Sequence, residues 1–168
     1  NCKSLAVFDI ETISPKFSGN GFPPILKHRI AALSYLALDV RDENGFRSLS
    51  VKAFRTGSVA KLQESEIIEN YLAFLGKAKP RLVTFNGRGF DIPILKFGAM
   101  RHEISSPIMT DRNYNYRYSF DGHLDLLEAL TDFGASGRSG MSLNNFCEAF
   151  GIPGKIGDID GGSVTALW

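Results

Sequence analysis

The chain has 168 residues, 43% hydrophobic and 22% charged, which is the balance of a globular protein with one sizeable core. Its net charge of +1 excludes a global field that would draw in a polyanion or a membrane surface, so any phosphate-binding surface must be a local patch. Cys2 and Cys147 form no Cys-x-x-Cys, which excludes a disulfide framework and a thiolate metal site, fits a reduced cytoplasmic setting, and, with no apolar run long enough to span a bilayer, leaves no membrane partner expected.

Leu5-Ala6-Val7-Phe8-Asp9-Ile10-Glu11-Thr12 opens the chain as a short apolar run ending in two carboxylates. This is the pattern of a central strand buried on both faces. Side chains alternate along a strand, so Asp9 and Glu11 project together at its carboxyl end. Like charges at a buried strand end repel and lose hydration, and hard divalent cations such as Mg²⁺ or Mn²⁺ relieve both costs. The alternative is a solvated pair that merely ends the strand.

Residues 13–24, with Pro15, Gly19, Gly21, Pro23 and Pro24, read as a loop. Residues 29–39 alternate as a second strand, and Asn44-Gly45 marks a hairpin into a third strand through Leu49, Val51, Ala53 and Phe54. A helix is expected over 64–75, with Ile67, Ile68, Tyr71, Leu72 and Leu75 as its stripe and Gly76 as its stop. Residues 81–85 form a fourth short strand, so the strand–helix–strand step implies an α/β fold with a partly parallel sheet.

Asn86-Gly87-Arg88-Gly89-Phe90-Asp91 is the turn out of that strand, with Asp91 as N-cap of a helix running to about Arg101. Between 104 and 121, Tyr114, Tyr116, Tyr118 and Phe120 recur every second residue beside Arg112 and Arg117. They read as an extended segment with one aromatic face on the core, or as a base-stacking platform. Leu124, Leu127, Leu130 and Phe133 suit a further helix ended by Gly134, and Ser142 caps the last helix, with Leu143, Phe146, Cys147 and Phe150 as its apolar face and Gly151 as its end. Residues 157–162 read as a loop carrying Asp158 and Asp160, and no second domain is visible.

If the first and fourth strands are parallel neighbours, Asp9, Glu11 and Asp91 meet at the carboxyl ends of the sheet, where open α/β sheets bind ligands. At these residues the chain resembles a known family. Phe8-Asp9-Ile10-Glu11-Thr12 is similar to the first motif of the DEDD 3′–5′ exonucleases, and Phe85-Asn86-Gly87-Arg88-Gly89-Phe90-Asp91 is similar to their second. His123-Leu124-Asp125-Leu126 and Gly151-Ile152-Pro153-Gly154-Lys155 resemble the stand-alone predicted exonucleases related to the proofreading domain of family-B DNA polymerases.

The resemblance implies a ribonuclease-H-like five-stranded mixed sheet flanked by helices. It implies hydrolysis of phosphodiester bonds from the 3′ end of nucleic acid with two divalent ions, Mg²⁺ or Mn²⁺; single-stranded DNA is the expected substrate, and the sequence leaves DNA and RNA both open. By the same resemblance Asp9, Glu11 and Asp91 are the catalytic metal ligands, and Thr12, Asn86 and Phe90 contact the substrate strand. Lys96, Arg101, Arg112, Arg117 and Lys155 are candidates for the phosphate patch.

The family's third motif, a Tyr or His followed by Asp on a C-terminal helix, has no match before Trp168, so the expectation is a single domain lacking that helix. Asp125 stands in a structural position on the family pattern, and Asp121 and His123 are candidates for positioning the site. Two other readings compete. An aspartyl-phosphate phosphatase would need Asp at position 11 and Thr at 13, where Glu11 and Ile13 stand. A nucleic-acid-binding domain with a degenerate exonuclease site would bind strands and not cut them.

Overall fold

The computed structural model describes residues 3–14 and 23–154. Its sheet runs β3-β2-β1-β4-β5, so the first strand is also the central one. The strands are β1 (Ser4–Ile13), β2 (Arg29–Glu43), β3 (Phe46–Ser58), β4 (Arg81–Thr84) and β5 (His123–Asp125). β1 pairs antiparallel with β2 and parallel with β4; β2–β3 is antiparallel and β4–β5 parallel. This is the ribonuclease-H-like mixed sheet that the resemblance implied.

Local chemistry explains most of these elements. Asn44 and Gly45 both take positive φ, 54° and 80°, as a two-residue hairpin matched to the strand twist requires. α1 (Glu64–Ala78) buries Ile67, Ile68, Tyr71, Leu72 and Leu75, and α2 (Asp91–Arg101) buries Ile94, Leu95, Gly98 and Ala99. Both helices cover the face of β1 that carries Ala6, Phe8 and Ile10. Gly98 permits the α1–α2 crossing, because a Cβ there would lie 2.8 Å from Ile68 Cδ1.

Several expectations change. β1 is not buried on both faces: Ala6, Phe8 and Ile10 are inside, but Val7 is 39% exposed. α1 runs past Gly76 and stops when Lys79 enters the left-handed region, φ 43°, just before Pro80. Pro80 disfavours the right-handed helical region for the residue before it, so the helix ends at Lys79. Asp91 is the first residue of α2 rather than its N-cap, which is Phe90. Its carboxylate is engaged elsewhere, as described below.

Residues 104–121 form no extended segment. Asp111 caps a short helix, α3 (Arg112–Asn115), by accepting from Asn113 N at 2.8 Å. That turn buries Tyr114, whose hydroxyl donates to Pro80 O, while Tyr116 and Tyr118 stay exposed. Leu124 lies in β5, and only α4 (Leu126–Leu130) follows as helix. Pairing with β4 takes Leu124 into the sheet against its helical spacing. α5 (Leu143–Ala149) is capped by Ser142 as expected and followed by Gly151 at φ 64°. Its apolar residues are only partly covered, Phe146 meeting Phe85 edge-on at 5.9 Å between ring centroids. Most of the 13–24 loop and all of residues 157–162 lie outside the described residues.

Candidate active site

The site grows from a mismatch in strand length. β4 pairs with β1 only as far as Val83 opposite Val7, and β1 continues alone on that side. The Ile10 amide therefore needs a partner other than a strand carbonyl. It donates to Asp91 Oδ1 at 2.9 Å, across 81 residues of sequence. The second acidic motif is thereby fastened directly to the first.

Asp91 is held in place from its other side by the turn that precedes α2. Gly87 is buried there, and a Cβ on it would lie 2.4 Å from Thr84 Oγ1. Asn86 adopts φ 62°, and a Cβ on Gly89 would come 2.8 Å from Asn86 Oδ1. The carboxylate of Asp125, fully buried in β5, accepts from Asn86 N and Arg88 N at 2.9 Å each and from Leu127 N at 3.1 Å. It is thus a structural acceptor, in agreement with its expected place.

Burial raises the Asp91 carboxyl from 3.8 to about 7, with the charge of Asp9 adding to the rise; the Ile10 amide bond acts in the opposite direction. Asp9 itself is exposed and Glu11 half-buried on the same strand. Asp9 and Asp91 are thus brought together. Glu11 does not complete a cluster with them: among the described residues no group of three or more His, Cys, Asp or Glu side chains is arranged to hold a metal ion.

The other predicted residues divide. Thr12 is buried, and its hydroxyl meets His28 Nδ1 at 2.8 Å. His28 Nε2 lies 3.2 Å from Pro23 O, which can only accept. Nε2 therefore carries a proton. The same ring stands edge-on to Phe90, 5.6 Å between centroids. His28 links two of the three expected substrate-contacting residues. No local signal marked it, because it lies alone between a turn and β2. Asn86 shapes the turn through its left-handed backbone.

His123 is buried, with Nε2 2.8 Å from Thr84 Oγ1. Burial and the Arg88 guanidinium push it down to about 4, so it is neutral at pH 7 and ties β4 to β5. Asp121 is exposed, bonded to Ser119, and shares a surface cavity with Lys3, Ser4 and Arg81 at the starts of β1 and β4, the opposite end of the sheet from Asp9. Of the expected phosphate patch, Arg101 is taken by Glu64 and Arg112 lies over the Tyr116 ring.

A central strand ending in acid, a parallel neighbour leading to a second acid, and the order β3-β2-β1-β4-β5 define a ribonuclease-H-like fold. Residues 20–168 match the family of predicted 3′–5′ exonucleases related to the exonuclease domain of PolB, and the chain belongs to that family. The match begins after Asp9 and Glu11. Comparison with curated proteins finds no match.

Among solved structures, the chain is similar to the family B DNA polymerase of the hyperthermophilic archaeon Pyrobaculum calidifontis. The identity is 19% and the TM-score 0.62, over 99% of this chain and 21% of the polymerase. Product-bound exonuclease I matches at 13% identity and TM-score 0.55, over 99% of this chain and 42% of that one. E. coli exonuclease I in complex with a dT13 oligonucleotide matches at 14% and 0.51, over 91% and 37%. The chain spans between a fifth and about two-fifths of these proteins, and at such identities the likeness establishes the fold.

Proposed function

We propose that this domain hydrolyses phosphodiester bonds from the 3′ end of single-stranded DNA, with Asp9 and Asp91 as the preformed part of a site for two divalent cations, Mg²⁺ or Mn²⁺, that Glu11 would join when the ions bind. The observation that carries this reading is the buried Asp91 carboxyl, bonded to the Ile10 amide and raised to about 7 beside Asp9. A carboxyl hindered from ionising by burial and a like charge is one that a bound cation would restore to its charged form. The donors are hard oxygens, which suits Mg²⁺ or Mn²⁺. Bound there, such ions supply an activated water and stabilise charge on the phosphate.

The chain's own residues do the rest. The Ile10–Asp91 bond fixes the spacing of the two motifs. His28 sets the Thr12 hydroxyl and the Phe90 ring, which would flank the terminal nucleotide, with Asn86 beside them. The exposed side of Asp9 leaves the carboxyl end of β1 open to a strand end.

The test is release of label from a 3′-labelled single strand with Mn²⁺, comparing the chain with its Asp9→Ala variant. Cleavage reduced at least a hundredfold by Asp9→Ala is the expected result. Cleavage that survives Asp9→Ala would show that a different site performs the reaction. A non-catalytic strand-binding domain is the second reading, favoured by the absence of a three-acid cluster among the described residues. It predicts single-strand binding unaffected by Asp9→Ala, with no metal-dependent release of label from either protein.

A further inference from the structure

A cavity of about 490 Å³ opens along the outer flank of α2, on the side of that helix turned away from the Asp91–Ile10 bond. Four basic side chains line it, Arg88, Lys96, Arg117 and Arg138, against a single carboxylate, Glu128. His123, also in the lining, is neutral at pH 7. The local charge is therefore +3 in a chain whose total is +1.

Glu128 cannot neutralise this group. Three guanidiniums converge on it, Arg117 Nε at 2.8 Å, Arg88 Nε at 3.3 Å and Arg138 Nη2 at 3.9 Å. Arg88 is further committed to the carbonyls of Ser119 and His123. Arg117 and Arg138 remain 49% and 45% exposed at the rim. The Lys96 ammonium donates to the neutral amide oxygen of Asn115, and burial with the nearby Arg88 charge lowers its proton affinity. An anion between Lys96, Arg117 and Arg138 would relieve all of this repulsion.

Much of the remaining wall is apolar: Ile92, Pro93, Phe97 and Met100 from α2, with Tyr114. A phosphate-sized anion would need no such surface, whereas a planar ring would bury it. The volume lies within the roughly 300–1,000 Å³ of small-ligand sites. We propose that this cavity is a nucleotide-binding site separate from the acidic site, with the phosphate on Lys96, Arg117 and Arg138 and the base against Pro93, Phe97 and Met100. The nucleotide is either a free nucleoside monophosphate or one unit of a bound strand. The choice of a nucleotide among ring-bearing phosphates rests on the function proposed above.

The experiment measures binding of thymidine 5′-monophosphate and of a labelled oligothymidylate in EDTA, without turnover. The proteins are the unaltered chain, Arg138→Glu, and Lys96→Gln combined with Arg138→Glu. Arg138 is half-exposed and, at 3.9 Å, the most distant of the three guanidiniums on Glu128, so it is the rim cation least involved in the buried Arg88–Glu128 pair. The expected result is at least tenfold weaker binding in both rim variants and, for the oligothymidylate, a salt dependence shallower by about 0.7 per cation removed.

Loss of both ligands' binding identifies the free nucleotide as a ligand; loss confined to the oligonucleotide identifies a strand track. Affinities unchanged in Arg138→Glu and in the double variant, with melting temperatures also unchanged, would overturn the proposal. Intact rim-dependent binding without any cleavage would instead remove the exonuclease reading and leave this one standing.

Discussion

Replacing Asp91 with asparagine keeps an oxygen for the Ile10 amide and removes only the charge. The carboxyl titrates near its ordinary 3.8 in the unfolded chain and at about 7 in the folded one. The folded chain therefore binds this proton more tightly. Its contribution to stability is complete below about pH 4 and is lost as pH rises through about 7. At about 1.4 kcal/mol per pH unit, the rise amounts to roughly 4 kcal/mol. Asp91 is only 4% exposed, so solvent screening takes little from that figure.

In EDTA, Asp91→Asn should match the unaltered protein at pH 4 and exceed it at pH 8 by up to roughly 4 kcal/mol. Urea denaturation followed by circular dichroism from pH 4 to 8 measures the difference. Added Mn²⁺ should stabilise the unaltered protein more at pH 8 than at pH 5, and Asp91→Asn less at both. Parallel stability curves for the two proteins across this range would refute the reasoning, because the buried charge would then cost the fold nothing.

Three more outcomes follow from the supports of the site. Asp125→Ala leaves the buried Leu127 amide and the partly buried amides of Asn86 and Arg88 without their acceptor and should cost about 3–5 kcal/mol, read by chemical denaturation. Gly87→Ala places a methyl 2.4 Å from Thr84 Oγ1 and should shift the turn before Asp91, lowering stability by about 2–3 kcal/mol and weakening Mn²⁺ binding measured by calorimetry. Lys79→Gly relieves a left-handed lysine at the end of α1 and should raise stability by about 0.5–1 kcal/mol without altering any binding measurement.

Much of the molecule was legible in residue order alone, wherever the deciding force is local. The alternation of β1 places Asp9 and Glu11 on one side of the strand. Asn44-Gly45 tolerates the positive φ that its hairpin demands. The 3.6-residue stripe from Ile67 to Leu75 is the buried face of α1. Ser142 has the hydroxyl that a helix start needs and accepts from Asn145 N. Period, φ preference and capping are properties of a few neighbouring residues, so they can be read without the fold.

What the tertiary structure decided was every partner far away in sequence. Leu124 joined a strand because β4 offered an unpaired edge, against its helical spacing. Asp91, fit by type to cap its own helix, instead took the Ile10 amide left open where β4 ends. His28, unremarkable in the sequence, reached both Thr12 and Phe90 once β2 lay beside β1. Arg88, Lys96, Arg117 and Arg138 are spread over 51 positions and share one cavity. Buried amides and charges take whichever partner the packing brings within about 3 Å, and packing is settled by the whole sheet.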